Sequence, residues 1–460
     1  MSLFALVLAA YLVLVLTLGI HGAIKVRSGA DFWIAGGRAS GLSTGGSLIA
    51  TIVGGSSTIG LAGLAFQRGL TGSWWLLVGP VGLLFLLFFV NNLKRQSVFT
   101  LPELIGLWYG PTMRKVAGLF ILAAWLGIVG AQANAAGRIL EAFFGGRAVS
   151  WTVAAAAVFI AYTASGGQVS VIRTDLIQAL LIAGGIACCA VIGLRLSGGF
   201  AGLSASLDRR FFSFPLSQDY SGFDLLLLLL VVGSTYLVGP DMLSRIFSSR
   251  NKRSARRGIL ISIAVIIPIA FLITFSGMVA RVLFPDIAAE TALPMLAKQA
   301  LPPWLSAVMM VALLSAFLSS ADTTLLTMSA IITVDILGQK HSNRLLGPRL
   351  SVLFCGAAAL LVGIFSRGII PSLLLGYTIF AGGLFVPILA GLIGKPLRRT
   401  AAFSAAFLGG GCALAGKLIG SDILVASGFG TGLAVLAVDR FLIFAGSVSA
   451  GKKPREERHN

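Results

Sequence analysis

Apolar stretches alternate with short polar breaks along the whole chain, and the stretches have the length of a bilayer crossing. A spanning helix needs about 20 mostly apolar residues, and windows of that kind recur from Leu3 almost to the C-terminus, predicting roughly thirteen spans. They fall near residues 3–24, 39–69, 71–93, 115–143, 150–166, 169–195, 222–245, 256–283, 302–336, 348–366, 370–394, 399–418 and 422–447. Two of them are interrupted. The second reads GSLIATIVGGSSTIGLAG, with Gly54 and Gly55 at its middle followed by Ser56, Ser57 and Thr58. The seventh reads LLLLLLVVGSTYLVGPDMLSR, with Gly233, Ser234, Thr235 and Tyr236 near its middle and Gly239–Pro240 after them.

Backbone groups in lipid must be satisfied internally, so paired glycines or a Gly-Pro inside a long apolar span mark backbone that lines a protected cavity. Close helix packing through small residues is the competing explanation for either span alone. The two spans stand five apart, and an odd number of helices per unit reverses the sense in which the second unit enters the membrane. The predicted fold is therefore an all-α polytopic membrane protein with an inverted repeat, spans two to six against seven to eleven, the first helix of each unwound. Residues 1–38 form the first transmembrane helix and a loop, 39–195 the first repeat and 196–221 an external loop. The second repeat covers 222–394, two further helices 395–447 and a basic tail 448–460. The first span is expected to stay in the protein, since no basic residue precedes it and no small-residue cleavage site closes it.

The charge changes the picture less than its size suggests. The 35 lysines and arginines against 16 acids give a net charge of +19. About two dozen of the basic residues fall on one side of the span map, among them Lys94, Arg114, the Arg245–Arg257 cluster, Lys340, Arg344 and the tail. That side is expected to be the cytoplasm, with the N-terminus outside, the C-terminus inside, and the chain in the inner or plasma membrane. Membrane insertion accounts for the basic charge, and no nucleic-acid partner is expected. The lipid bilayer and a small-molecule substrate are the expected partners, and a monomer the expected form. His21, His341 and His459 are scattered, so neither a metal cluster nor an acid–base site is predicted, and an enzyme is not expected.

In the ninth span, SAFLSSADTTLL places Ala316, Ser319 and Ser320 at i, i+3 and i+4 on one helical face. Two hydroxyls and a helix carbonyl supply part of the oxygen shell that a dehydrated hard cation needs, although such hydroxyls also bond back to their own helix. Several further motifs stand in order: DFWIAGGR from Asp31 to Arg38, SLIATIVGGSSTIG, FTLPELIGLWYG, TASGGQVSVIRTDLIQ from Thr163 to Gln178, and PDMLSRIFSSRNKRSARRG. With these motifs the chain resembles the sodium:solute symporter family over nearly its whole length. That resemblance implies a leucine-transporter-like inverted-repeat fold and sodium as the coupling ion. It places sodium on the carbonyls of Ala50, Val53 and Ala316 and the hydroxyls of Ser319 and Ser320. A second ion site in some members uses the aspartate of the TDxIQ motif, here Asp175, but the accompanying hydroxyl positions hold Asp322 and Thr323. Asp175 is equally well read as the structural partner of a cation such as Arg173.

The substrate is expected between the two unwound segments, near Ser56, Ser57, Thr58, Ser234, Thr235 and Tyr236. Trp74, Trp75, Gln132, Asn134, Tyr377 and Thr378 are the expected neighbours. The Trp74–Trp75 pair also has the character of an interfacial anchor. Relative to family members, Ile52 replaces an acid of proline transporters, Thr235 a tyrosine gate of sugar transporters, and Ile128 an arginine of sialic acid transporters. Arg138 is expected to pair with Glu141 at i+3. With no ionised group evident in the pocket, a neutral or zwitterionic solute such as an amino acid is favoured. Sodium-coupled symport is the expectation, with proton coupling in the same fold or a receptor-like role as the alternatives.

Overall fold

The computed structural model describes residues 3–340, 345–365 and 369–449. His341, Arg344 and the basic tail from residue 450 onward lie outside them. The described residues form no strand, only two isolated bridges, Ala39 with Ser249 and Ser217 with Tyr220. Eleven helices among them are long and apolar enough to cross a membrane. Two of these carry interruptions. Ser56–Leu93 passes through a tight 3-10 turn at Gly69–Ser73, and Ala148–Leu196 bends at Gly167, whose φ of 57° and ψ of −160° lie outside any helix. Glycine is required at the bend because a Cβ there would also stand 2.7 Å from the Phe32 ring. These are the places where the hydropathy pattern separates the second span from the third and the fifth from the sixth.

The first broken helix runs Gly41–Ile52, leaves helical geometry at Val53 (φ −85°, ψ 61°) and resumes as a widened turn at Ser56–Gly60 before Leu61–Arg68. The reason is a close crossing: a Cβ on Gly54 would collide with Ser320 Oγ, and one on Gly55 with the Phe317 ring. The freed Gly55 N–H donates to Gln132 Oε1 at 3.0 Å, as a backbone donor in lipid must. The second break falls at the Gly239–Pro240 end of its expected stretch. Ser234–Val238 is helical, preceded by a widened turn at Leu229–Gly233, and the chain becomes extended only at Gly239 (φ −64°, ψ 141°) before Pro240–Ser248. Proline removes a donor and forces its predecessor out of helical geometry, so the Gly-Pro pair sets the break rather than the Gly233–Tyr236 stretch.

At the centre lies Pro303–Ile336, with 89% of its most apolar window buried, more than any other spanning helix. Its surface is mostly apolar or small, as a helix enclosed on every side requires, and its two acids, Asp322 and Asp335, are bonded by Thr163 and by Thr100 and Arg114. The first helix, Leu3–Ala23, is tied to the bundle through Tyr11, whose hydroxyl accepts from Gln178 Nε2 at 3.0 Å, and through Gly19, whose carbonyl accepts from Ser170 Oγ at 2.9 Å. Several of the sequence motifs act as fasteners at the basic end. Thr100 caps the helix Leu101–Tyr109 and donates to Asp335 at 3.0 Å; Arg114 pairs with Asp335 at 2.6 Å; Lys340 pairs with Glu103. In DFWIAGGR, Asp31 pairs with Arg38 and accepts from Ser28 Oγ.

Elsewhere the helices touch through backbone. A Cβ on Gly130 would stand 2.7 Å from the Ala359 carbonyl and 2.8 Å from the Gly363 nitrogen, and one on Gly363 would stand 2.5 Å from the Gly130 carbonyl. Such contact replaces hydrophobic driving force in lipid. Gly130→Val is expected to cost about 1–3 kcal/mol by overpacking and to lower the thermal midpoint in detergent. Gly184→Val, at a position open on all sides, is the control that should leave the midpoint where it is.

Candidate functional site

The first broken helix and the central helix meet at two hydroxyls. Ser319 Oγ donates to the Ala50 carbonyl at 2.6 Å, and Ser320 Oγ donates to the Thr51 carbonyl at 3.0 Å. With Val53 and Gly54 out of helical geometry, the carbonyls of the last turn lose their own partners and turn to the serines. Ala50, Val53, Ala316 and Ser319 are fully buried. Hydroxyl hydrogens rotate, so the same oxygens can face a cation once the proton turns aside. All are neutral oxygens, the donor type sodium accepts.

One helical turn away lies a buried cluster of charges. The Arg245 guanidinium, 1% exposed, pairs with Asp175 Oδ2 at 3.3 Å, donates to Thr51 Oγ1 at 3.3 Å and bonds Thr323 Oγ1. Ser47 completes the hold on Asp175, and Thr163 donates to Asp322. The cation beside Asp175 is thus Arg245, from the second broken helix, and not Arg173, which lines a surface cavity near Lys25 and Arg38. A sequence-neighbour argument missed it because the pairing spans two repeats, 70 residues apart. Asp175, Asp322 and Thr323 are brought together, with a guanidinium among them.

Between the two breaks is a cavity of about 30 Å³. Ser56, Gln132, Thr235, Tyr236 and Tyr377 line it, as does Ser320. Ser57, Thr58 and Ser234 do not; their hydroxyls cap the carbonyls of Ile52, Gly54 and Val231. Trp75 and Thr378 line a second cavity of about 280 Å³ at the end opposite the basic loops, with Arg68 stacked 4.3 Å over the Tyr220 ring. Burial pushes the Tyr220 phenol up to about 12, with Arg68 opposing, so it stays neutral. Trp74 stacks on Phe214 and donates to the Pro215 carbonyl at 2.9 Å, and Asn134 donates to the Gly363 carbonyl at 3.0 Å; neither lines the central cavity. Arg138 does not pair with Glu141. It bonds Asn134 at 2.8 Å and Glu290 at 3.5 Å, while Glu141 accepts from the Ala148 amide.

The sequence reading also missed a charged group in the pocket. Asp241 lines the central cavity, and its Oδ2 accepts from Trp125 Nε1 at 2.8 Å. Its place in the sequence, directly after Gly239–Pro240 in PDM, was the available signal: the residue after a break sits where the second half-helix begins.

Two broken helices crossing at a buried cavity, inside a bundle of apolar spans, are the architecture of the inverted-repeat class of multi-pass membrane proteins. The chain belongs to the sodium:solute symporter family, whose model matches residues 32–345, about two thirds of its length. It is 26% identical to the human sodium/myo-inositol cotransporter 2 across 72% of this chain and 55% of that protein. It thus spans little more than half the length of that relative. Similarity also extends to the sodium/glucose cotransporter of Vibrio parahaemolyticus, at 23% identity over 67% of this chain and 63% of the relative. The sodium/pantothenate symporter of Escherichia coli (strain K12) is likewise 23% identical over 72% and 71%. Among solved structures, a sodium-coupled sialic acid symporter in a substrate-bound outward-open state matches at TM-score 0.84 and 18% identity, over 95% of this chain and 97% of the other. A nucleobase-cation-symport-1 family transporter in a closed conformation matches at TM-score 0.60 and 12% identity, over 91% and 96%. The family is one of transporters and not of enzymes.

Removing one partner of a buried ion pair leaves the other charge stranded, at a cost of about 3–5 kcal/mol. Arg245→Met is therefore expected to lower the thermal midpoint in detergent sharply. Arg245→Met combined with Asp175→Asn should recover most of the loss, a non-additivity that a double-mutant cycle reads directly.

Proposed function

We propose that this chain couples sodium entry to the uptake of a small neutral or zwitterionic organic solute by alternating access. The observation that carries the reading is the hydrogen bond from Ser319 to the Ala50 carbonyl, which draws the broken helix against the central one. A sodium ion shared by Ala50, Val53, Ala316, Ser319 and Ser320 would add attraction only while those two elements are together. Ion binding then favours one state of the bundle and orders the unwound segment that receives substrate. The coupling is reciprocal, so bound substrate tightens sodium in turn. Relatives named for myo-inositol, glucose and pantothenate share the fold, and family membership alone leaves the solute open.

The same reading takes the chain across the membrane thirteen times, the two interrupted helices counting as described. Basic loops face the cytoplasm, the N-terminus lies outside, the repeats run 39–195 and 222–394, and the working unit is a monomer. Arg245 fills the space between Asp175 and Thr323 where a second ion would sit. One sodium per cycle is the stoichiometry this supports.

Sodium should raise the thermal midpoint of the purified protein above its value in potassium at equal ionic strength. Ser319→Ala and Ser320→Ala each delete one oxygen of the cage, worth about 1.5–3 kcal/mol for a bond to a charged group, and should remove most of that difference. In proteoliposomes, solute uptake should follow an imposed sodium gradient. Uptake driven by a proton gradient with no response to sodium would replace this mechanism by proton coupling.

A further inference from the structure

Resting on the transport reading above, we infer that Asp241 is the substrate-recognition group of the central cavity and that the solute carries a protonated amine, as a zwitterionic amino acid does. Three observations converge on this chemistry. The first is the state of the carboxylate. Asp241 stands at the start of Pro240–Ser248, where a helix N-terminus favours negative charge. Its Oδ2 is held by the Trp125 indole, whereas its Oδ1 is buried and accepts no hydrogen bond. The Thr327 hydroxyl is near enough to hydrogen-bond the carboxylate, but in this arrangement it donates to the Thr323 carbonyl at 3.0 Å. A buried acceptor without a donor is a place where a ligand's N–H is worth most.

The second observation concerns the hydroxyls around it. Thr235 donates to the Val232 carbonyl at 2.6 Å, Ser320 to Thr51 at 3.0 Å, Thr324 to Ser320 at 2.7 Å and Thr51 to Ser47 at 2.7 Å. In this arrangement their hydrogens point into the protein and their lone pairs are left for a ligand. Such oxygens suit an ammonium, which donates several hydrogen bonds and accepts none. Trp125, Tyr236 and Tyr377 line the same walls.

The third observation is where the nearby cation is spent. Arg245 bonds Asp175, Thr51 and Thr323 and makes no ion pair with Asp241, so among the described residues the carboxylate that lines the cavity has no protein cation bonded to it.

The experiment is a thermal-shift series on the purified full chain in sodium, with L-alanine, choline, myo-inositol and lactate as probes and Asp241→Asn as the variant. L-alanine should stabilise the wild type, and choline, whose nitrogen carries no N–H, should not. Asp241→Asn should weaken that binding by roughly thirtyfold or more, as loss of a buried charge partner does. The same variant should keep the stabilisation given by sodium alone. Loss of the sodium effect in the wild type would overturn the transport reading itself. With that effect intact, three results would overturn the assignment of Asp241: no response to L-alanine, a response to choline, myo-inositol or lactate instead, or unchanged affinity in Asp241→Asn.

Discussion

A backbone that leaves its helix inside a bilayer must find every missing hydrogen bond within the protein, and this constraint organises the centre of the molecule. At the first break the carbonyls of Ala50 and Thr51 are taken up by Ser319 and Ser320, and the amide of Gly55 by Gln132. At the second, Thr235 and Ser234 cap carbonyls of their own preceding turn. The polar residues that look like a binding site are thus first of all the residues that make an interrupted helix tolerable in lipid. Any role with an ion or solute is played by oxygens already drawn to the same point for that purpose.

The buried charges obey a related logic. Asp175, Asp322 and Arg245 come from three different spanning helices and sit where each alone would be prohibitively exposed to low dielectric. A buried pair of this kind contributes little net stability against an apolar replacement. What it does contribute is specificity of arrangement, since Arg245 can reach Asp175, Thr51 and Thr323 together only with the second broken helix in one position.

Most of the architecture could be read from hydropathy, because span length is a property of the bilayer and leaves a local signature. The paired glycines at 54 and 55 marked the first break correctly, since steric exclusion by Ser320 and Phe317 admits nothing larger. The second break falls at Gly239–Pro240, one of the two features that marked that span; the four small or polar residues at 233–236 mimic an unwound segment but stay wound, since only the Gly-Pro pair removes a donor and bars helical geometry. Contacts between distant helices were not legible. Arg173 lies beside Asp175 in sequence while Arg245 lies beside it in space, and no periodicity encodes which face of one repeat meets the other. Asp241 was overlooked for the same reason, its position in the pocket being fixed by the direction in which the half-helix restarts.

The backbone contact between Gly130 and Gly363 has a mechanical meaning. With main chain against main chain there, neither helix can slide lengthwise without driving the residues on either side into the opposing backbone. Asn134, one turn on, donates to the Gly363 carbonyl at 3.0 Å and clasps the same crossing, so Pro111–Phe144 and Leu346–Phe365 travel as one piece.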